Sequence, residues 1–157
     1  MLTLKIAIAE GANDLPLPEY ATDGAAAFDL HANVKRFVRL NPGDRALIKT
    51  GIHVEVPSGH SMDIQSRSGL ALKQGIIVLN SPGLVDSDFR GEIGVILFHN
   101  GAEPFLINRG DRIAQAVIRP YVRVGFEEVP VSGLSSTDRG SGGFGSTGVA
   151  TGSGGTK

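Results

Sequence analysis

The chain has 157 residues, 41% of them hydrophobic and 20% charged, with a net charge of −1 and no cysteine. That length and apolar content suit one domain, or one domain with a tail, whose core buries roughly 68–70% of the unfolded surface, and they exclude wholesale disorder. The balanced charge removes any electrostatic drive toward nucleic acid, the missing thiols exclude disulfides, zinc knuckles and thiol catalysis, and no apolar run approaches the ~18 residues of a membrane span. A soluble cytoplasmic protein without nucleic-acid or membrane partners is expected, and the alternating stretch MLTLKIAIAEGAND does not read as a secretion signal.

Taken in chain order, the apolar period is two. Leu2, Leu4, Ile6 and Ile8 share one face of a predicted strand, with Thr3 and Lys5 on the other. After the turn NPGD at 41–44, Ile52, Val54 and Val56 alternate with His53 and Glu55, and PSGH at 57–60 closes that strand. The segment RSGLALKQG, 67–75, lacks β-branching and ends on Gly75, so it predicts one short helix. Ile93, Val95 and Leu97 line the next strand, bounded by HNG at 99–101. After NRGD at 108–111, Ile113, Gln115 and Val117 share a strand face that is expected to point inward. Short strands separated by turn chemistry predict an all-β fold: a jelly-roll-like, distorted β-barrel or sandwich.

The end of the chain differs from the body. Eight of the 22 glycines fall in residues 140–157, with Phe144 the one aromatic and Lys157 the one charge there. A body over 1–138 and a flexible Gly/Ser-rich arm over 139–157 are expected. RGSGGFGSTG, 139–148, matches G-x-G-x-x-G, and Ser146 stands where a Walker A lysine would be. Neither nucleotide motif is met, because both need a strand before and a helix after. Composition alone reads as linker, yet a lone aromatic can stack on a base, and Arg139, Ser146 and Thr147 offer donors to phosphate oxygens.

Three other stretches carry chemistry-bearing side chains. GLVDSDFRGE, 83–92, puts Asp86, Asp88, Arg90 and Glu92 around Phe89 between two strands, either as a solvated acidic loop or as a carboxylate held to take a proton from water. SRSGLA, 66–71, sets Arg67, Ser68 and the Gly69 N–H ahead of the predicted helix, as a helix cap or an anion contact. Gln115 on an inward face needs partners, from a neighbouring strand or a ligand. The four histidines, His31, His53, His60 and His99, have no zinc-ligand spacing.

The ordered set AAAFDLHA (25–32), SRSGLA (66–71), NSPGLVDSDFRGE (80–92), GDRIAQ (110–115) and RGSGGFGSTG (139–148) resembles the five motifs of the trimeric dUTP pyrophosphatases. The resemblance implies a homotrimeric β fold with three sites at subunit interfaces, each built from all three chains. It implies hydrolysis of dUTP to dUMP and pyrophosphate with Mg²⁺, keeping uracil out of DNA and supplying dUMP for thymidylate synthesis. By that resemblance Asp86 activates the water that attacks the α-phosphorus. Asp29 holds Mg²⁺ through water, and Arg67, Ser68, Gly69 and Gln115 grip the phosphate chain. Asn80 and the backbone around Gly83 read the uracil edge, and Phe89 lies against the deoxyribose. Phe144 stacks on the base as the arm closes, with Arg139, Ser146 and Thr147 on the terminal phosphates. Ala27, Ser66 and Phe89 depart from the commoner Gly, Pro and Tyr of these motifs, and none of the three removes a reacting group. Two other functions are weighed against this one: a dCTP deaminase of the same fold, and a non-catalytic nucleotide-binding trimer. An ionised Asp86 beside three phosphates would only weaken a pure binder.

Overall fold

A computed structural model describes residues 2–144. The chain falls into two compact units, Met1–Val122 and Arg123–Lys157. The first unit contains β1 (Lys5–Ile8), β2 (Phe28–His31), β3 (Val38–Leu40), β4 (Arg45–Glu55), β5 (His60–Gln65), α1 (Ser68–Gln74), β6 (Ile76–Val78), β7 (Gly83–Val85), β8 (Glu92–His99), β9 (Phe105–Ile107) and β10 (Arg112–Pro120). The described part of the second unit holds one 3₁₀ turn, Val131–Gly133, and a tight turn in which the Gly140 N–H donates to Thr137 O at 3.0 Å and the Gly142 N–H to Arg139 O at 3.0 Å.

The strands of the first unit form one sheet of order β1-β4-β8-β6, a second of order β2-β10-β5-β7, and the pair β3-β9, with every pairing antiparallel. Neither large sheet closes on itself, so of the two forms expected, the sandwich is the one adopted. One contiguous core joins the sheets, with Leu30, Met62, Ile64 and Ala116 from the second against Ile48, Val54, Val95 and Leu97 from the first. Along β8 burial alternates residue by residue, with Ile93, Val95 and Leu97 inward as their spacing predicts. Each such side chain contributes roughly 1.5–3 kcal/mol by leaving water.

Two strands depart from their predicted faces. β1 is an edge strand, so of its apolar series only Leu4 and Ile6 pack on the core, while Leu2 and Ile8 are exposed. In β10 the register against β2 shifts between Arg112 and Ala114. That bulge changes the phase of the strand. Ile113 is buried, but from there Ala114 and Ala116 face the core, and Gln115 and Val117 lie half-buried on the opposite face. The inward face expected for Gln115 is therefore corrected: an extra residue reverses which side of a strand each later side chain takes.

Helix α1 forms where expected. It stops because Gly75 takes φ +66, and any Cβ there would lie 2.4 Å from the Gly101 N. The Asn100 N–H donates to Gly75 O at 2.8 Å, which seats the helix end on the turn after β8. The N-cap residue is Arg67, without a side-chain cap bond, so Ser68 is the first helical residue and its hydroxyl does not cap the helix.

Candidate active site

An open cavity of about 810 Å³ lies against the outer face of the β2-β10-β5 sheet and the start of α1. Asp29, on β2, pairs in register with Gln115 on β10. Its Oδ1 is ion-paired with Arg67 Nε at 2.9 Å, and its Oδ2 accepts from Arg112 Nη1 at 3.2 Å. Arg67 Nη1 also donates to the Arg112 carbonyl at 3.0 Å, so the two guanidinium groups are fixed around one carboxylate. Gln115 Nε2 donates to Ser66 O at 3.1 Å, and the Ser66 hydroxyl accepts the Val78 N–H at 2.8 Å. Ser66 thus ties the entry of α1 to β6, an arrangement that explains a serine at that position.

Four cations, Arg67, Lys73, Arg112 and Arg119, stand on the cavity wall against Asp29 and Glu19, and Arg119 Nε is further held by Asp63 at 3.3 Å. Cations oriented in advance around a concave surface suit a polyanion. The charge of this wall is felt by His31 at the end of β2. Burial lowers its pKa below the ordinary histidine value; Asp29 opposes that, and Arg112 and Arg67 reinforce it.

A second group lies along the segment from Asn80 to Glu92. Gly83 is buried where β7 meets Ile64 of β5, and a Cβ there would lie 3.4 Å from both Asn80 Nδ2 and Ile64 Cβ. The Asn80 amide therefore lies beside the Gly83 backbone. Asp86 is exposed at the head of a turn closed by the Phe89 N–H donating to Asp86 O at 3.2 Å. Arg90 Nη1 donates to Ser87 O and Phe89 O, both at 2.8 Å, and His53 Nδ1–H on β4 donates to Arg90 O at 2.9 Å. Phe89 is 44% exposed and, with Asp86, lines a small cavity of about 190 Å³.

Asp29, Arg67, Ser68, Gly69 and Gln115 are thus brought to one cavity, and Asn80, Gly83, Asp86 and Phe89 lie along one segment that runs through β7 of the second sheet toward β8 of the first. Within a single chain Asp86 and Phe89 line a different cavity from the one that holds the first group. Arg139 and Phe144 belong to the second unit, where Arg139 Nε donates to Gly142 O at 2.8 Å; Ser146 and Thr147 lie outside the described residues. Sequence reasoning missed Arg112, whose only signal was its place inside GDRIAQ. It also missed Arg119 and Lys73, which carry no motif. Among the described residues no three His, Cys, Asp or Glu side chains gather as a metal-ligand group, and no helix is long and apolar enough to cross a membrane.

Residues 13–148 match the dUTPase family. The chain is 51% identical over 149 residues to the deoxyuridine 5'-triphosphate nucleotidohydrolase of Anaplasma marginale, covering 95% of this chain and 100% of that one. It is 53% identical over 148 residues to the enzyme of the same name from Caldanaerobacter subterraneus subsp. tengcongensis, covering 94% and 99%. Among solved structures it is similar to the dUTPase of Staphylococcus bacteriophage 80alpha with dUPNHPP, at a TM-score of 0.82 and 25% identity over 94% of this chain and 99% of that one. A variant dUTPase of phage phi11 of S. aureus, with a structural Mg(II) ion, has a TM-score of 0.72 at 24% identity over 81% and 96%, a likeness of fold.

Proposed function

The chain belongs to the dUTPase family and hydrolyses dUTP to dUMP and pyrophosphate, and from that premise we propose that its two groups of side chains are the two halves of one active site, completed between copies of the chain in a homotrimer. The observation that carries this is the division itself. The cavity with Arg67, Ser68, Gly69 and Gln115 holds the phosphate donors, with the Asp29 carboxylate tied to Arg67 and Arg112, while the segment with Asn80, Gly83, Asp86 and Phe89 holds the exposed Asp86 carboxylate.

In this reading Arg67 and Gln115 grip the phosphate chain together with the Ser68 hydroxyl and the Gly69 N–H. Asp29 keeps Arg67 in its pose, so little reorganisation is needed when substrate arrives. Asn80 and the Gly83 backbone pair with the uracil edge, which rejects cytosine by leaving polar groups unpaired. The Phe89 ring lies against the deoxyribose and blocks a 2′-hydroxyl. The Asp86 carboxylate orients a water and takes its proton as the oxygen adds to the α-phosphorus and the bond to the β-phosphate oxygen breaks. Arg139, Phe144, Ser146 and Thr147, in an arm taken as residues 139–157, complete the contacts to base and terminal phosphates.

Magnesium fits this donor set. It keeps most of its waters and needs few protein carboxylates. Asp29, beside the phosphate grip and outside any cluster of ligands among the described residues, would hold it through water. When bound, the ion supplies charge neutralisation along the triphosphate.

Pyrophosphate release measured across dUTP, dCTP, dTTP and UTP, with Asp86→Asn alongside, tests the reading. Turnover of dUTP alone is expected, falling ~10²–10⁴-fold in the variant while a non-hydrolysable dUTP analogue still binds. A variant at wild-type rate would place the base elsewhere.

A further inference from the structure

The geometry points to a second residue in the sugar gate: we propose that Gly91, by leaving the notch into which the Phe89 ring folds, sets discrimination between deoxyribose and ribose nucleotides. This rests on the reading that Phe89 lies against the sugar. A Cβ on Gly91 would lie 2.5 Å from Phe89 Cζ, 3.0 Å from Cε2 and 3.3 Å from Cε1. All three nearest atoms belong to one ring, so the ring edge lies directly over the Gly91 backbone. Carbon atoms in contact settle at about 3.5–4.0 Å, and the ring therefore has to move on the order of 1 Å to admit a methyl group.

The backbone of Gly91 itself tolerates that methyl group. Gly91 is not among the glycines with positive φ, so its backbone accepts alanine. The backbone on either side is held. Arg90 binds the Ser87 and Phe89 carbonyls, and His53 binds the Arg90 carbonyl. The turn resists shifting, and the half-exposed ring takes up the displacement. Off its seat the ring loses the surface that holds it in one pose, and a ring free to swing yields to a 2′-hydroxyl. Gly91 is a positioning residue in this scheme. It touches no substrate and acts through Phe89.

The test compares kcat/KM for dUTP and UTP in the wild type, Gly91→Ala, Phe89→Ala and the double variant. Gly91→Ala is expected to lower the dUTP-to-UTP ratio about tenfold, within the range a single pocket group commands, while dUTP is still hydrolysed. With the ring gone the added methyl group displaces nothing, so the double variant should match Phe89→Ala in both ratio and melting temperature. An unchanged ratio in Gly91→Ala, with a lowered one in Phe89→Ala, overturns the role given to Gly91 and leaves the gate intact. An unchanged ratio in Phe89→Ala overturns the gate itself. Should Gly91→Ala alone fail to fold, rescue by Phe89→Ala upholds the steric seat, and failure of both overturns it.

Discussion

Arg112 joins two parts of the phosphate cavity: its guanidinium reaches Asp29 Oδ2 at 3.2 Å, and its carbonyl accepts Arg67 Nη1 at 3.0 Å. Removing the side chain takes a positive charge from the wall and half the support from Asp29, and both effects oppose binding of a polyanion. Arg112→Ala should raise KM for dUTP about tenfold or more, since a hydrogen bond to a charged group is worth about 1.5–3 kcal/mol. Steady-state kinetics would show it, with Arg112→Lys intermediate because an ammonium keeps the charge without the fork. An unaltered KM would make Arg112 a bystander. At this scale the residues named by motif were legible in the sequence because each sits inside a run of unusual composition. Arg112 sits in such a run too, yet its bond to Asp29 joins two strands 83 positions apart, a pairing no local pattern reports.

Among the elements, the β4–β8 pairing turns on one half-buried carboxylate. The register shifts between Lys49 and His53, and Glu92 at the start of β8 fills the irregularity. Its Oε2 accepts from Lys49 Nζ at 2.7 Å, and its Oε1 from the Gly51 N–H at 3.0 Å and Asn33 Nδ2 at 3.4 Å. Gly51 takes φ +74, and a Cβ there would meet Ala12 Cβ at 2.6 Å, so the bulge is closed to other residues. Asn33 Oδ1 in turn accepts from Arg109 Nη1 at 2.6 Å, and Arg109 binds Asp14, whose pKa is held down at about 2 chiefly by that hydrogen bond. Burial alone would raise the Glu92 pKa, but the bonds from Lys49, Gly51 and Asn33 bring it below the ordinary value. The unfolded chain therefore binds the proton more readily than the folded one. The stability from Glu92 is present above the ordinary glutamate range near pH 4.3 and is lost as pH falls through the lower folded value. Glu92→Gln should cost about 2 kcal/mol at neutral pH and flatten the acid limb of a melting-temperature profile. A wild-type profile in the variant would deny Glu92 this role. The strands around this knot were legible through their period of two, and α1 through Gly75. The phase of β10 was not, because a bulge of one residue leaves the composition of a strand unchanged while reversing its faces.

The whole molecule is where sequence and single chain give different parts of the answer. The five motifs announce one site, but in one chain the phosphate cavity and the cavity beside Asp86 are separate. If each site takes its Asp86 segment from one copy and its phosphate grip from another, damage to the two halves can be complemented. Asp86→Asn and Arg67→Ala trimers should each lose ~10²-fold or more in rate, one lacking the base and the other a fixed guanidinium. When the two chains are co-folded in equal amounts, a site is whole only where the Asp86 segment comes from the Arg67→Ala chain and the grip from the Asp86→Asn chain. Random closed trimers place that combination at about one quarter of the sites, so about one quarter of the wild-type rate should return. Mixing folded homotrimers without exchange should return nothing, which controls for contamination. If both halves of each site came from the same copy, no mixture could rebuild a whole one. Mixed trimers verified by mass and still inactive would therefore remove the shared site from this fold.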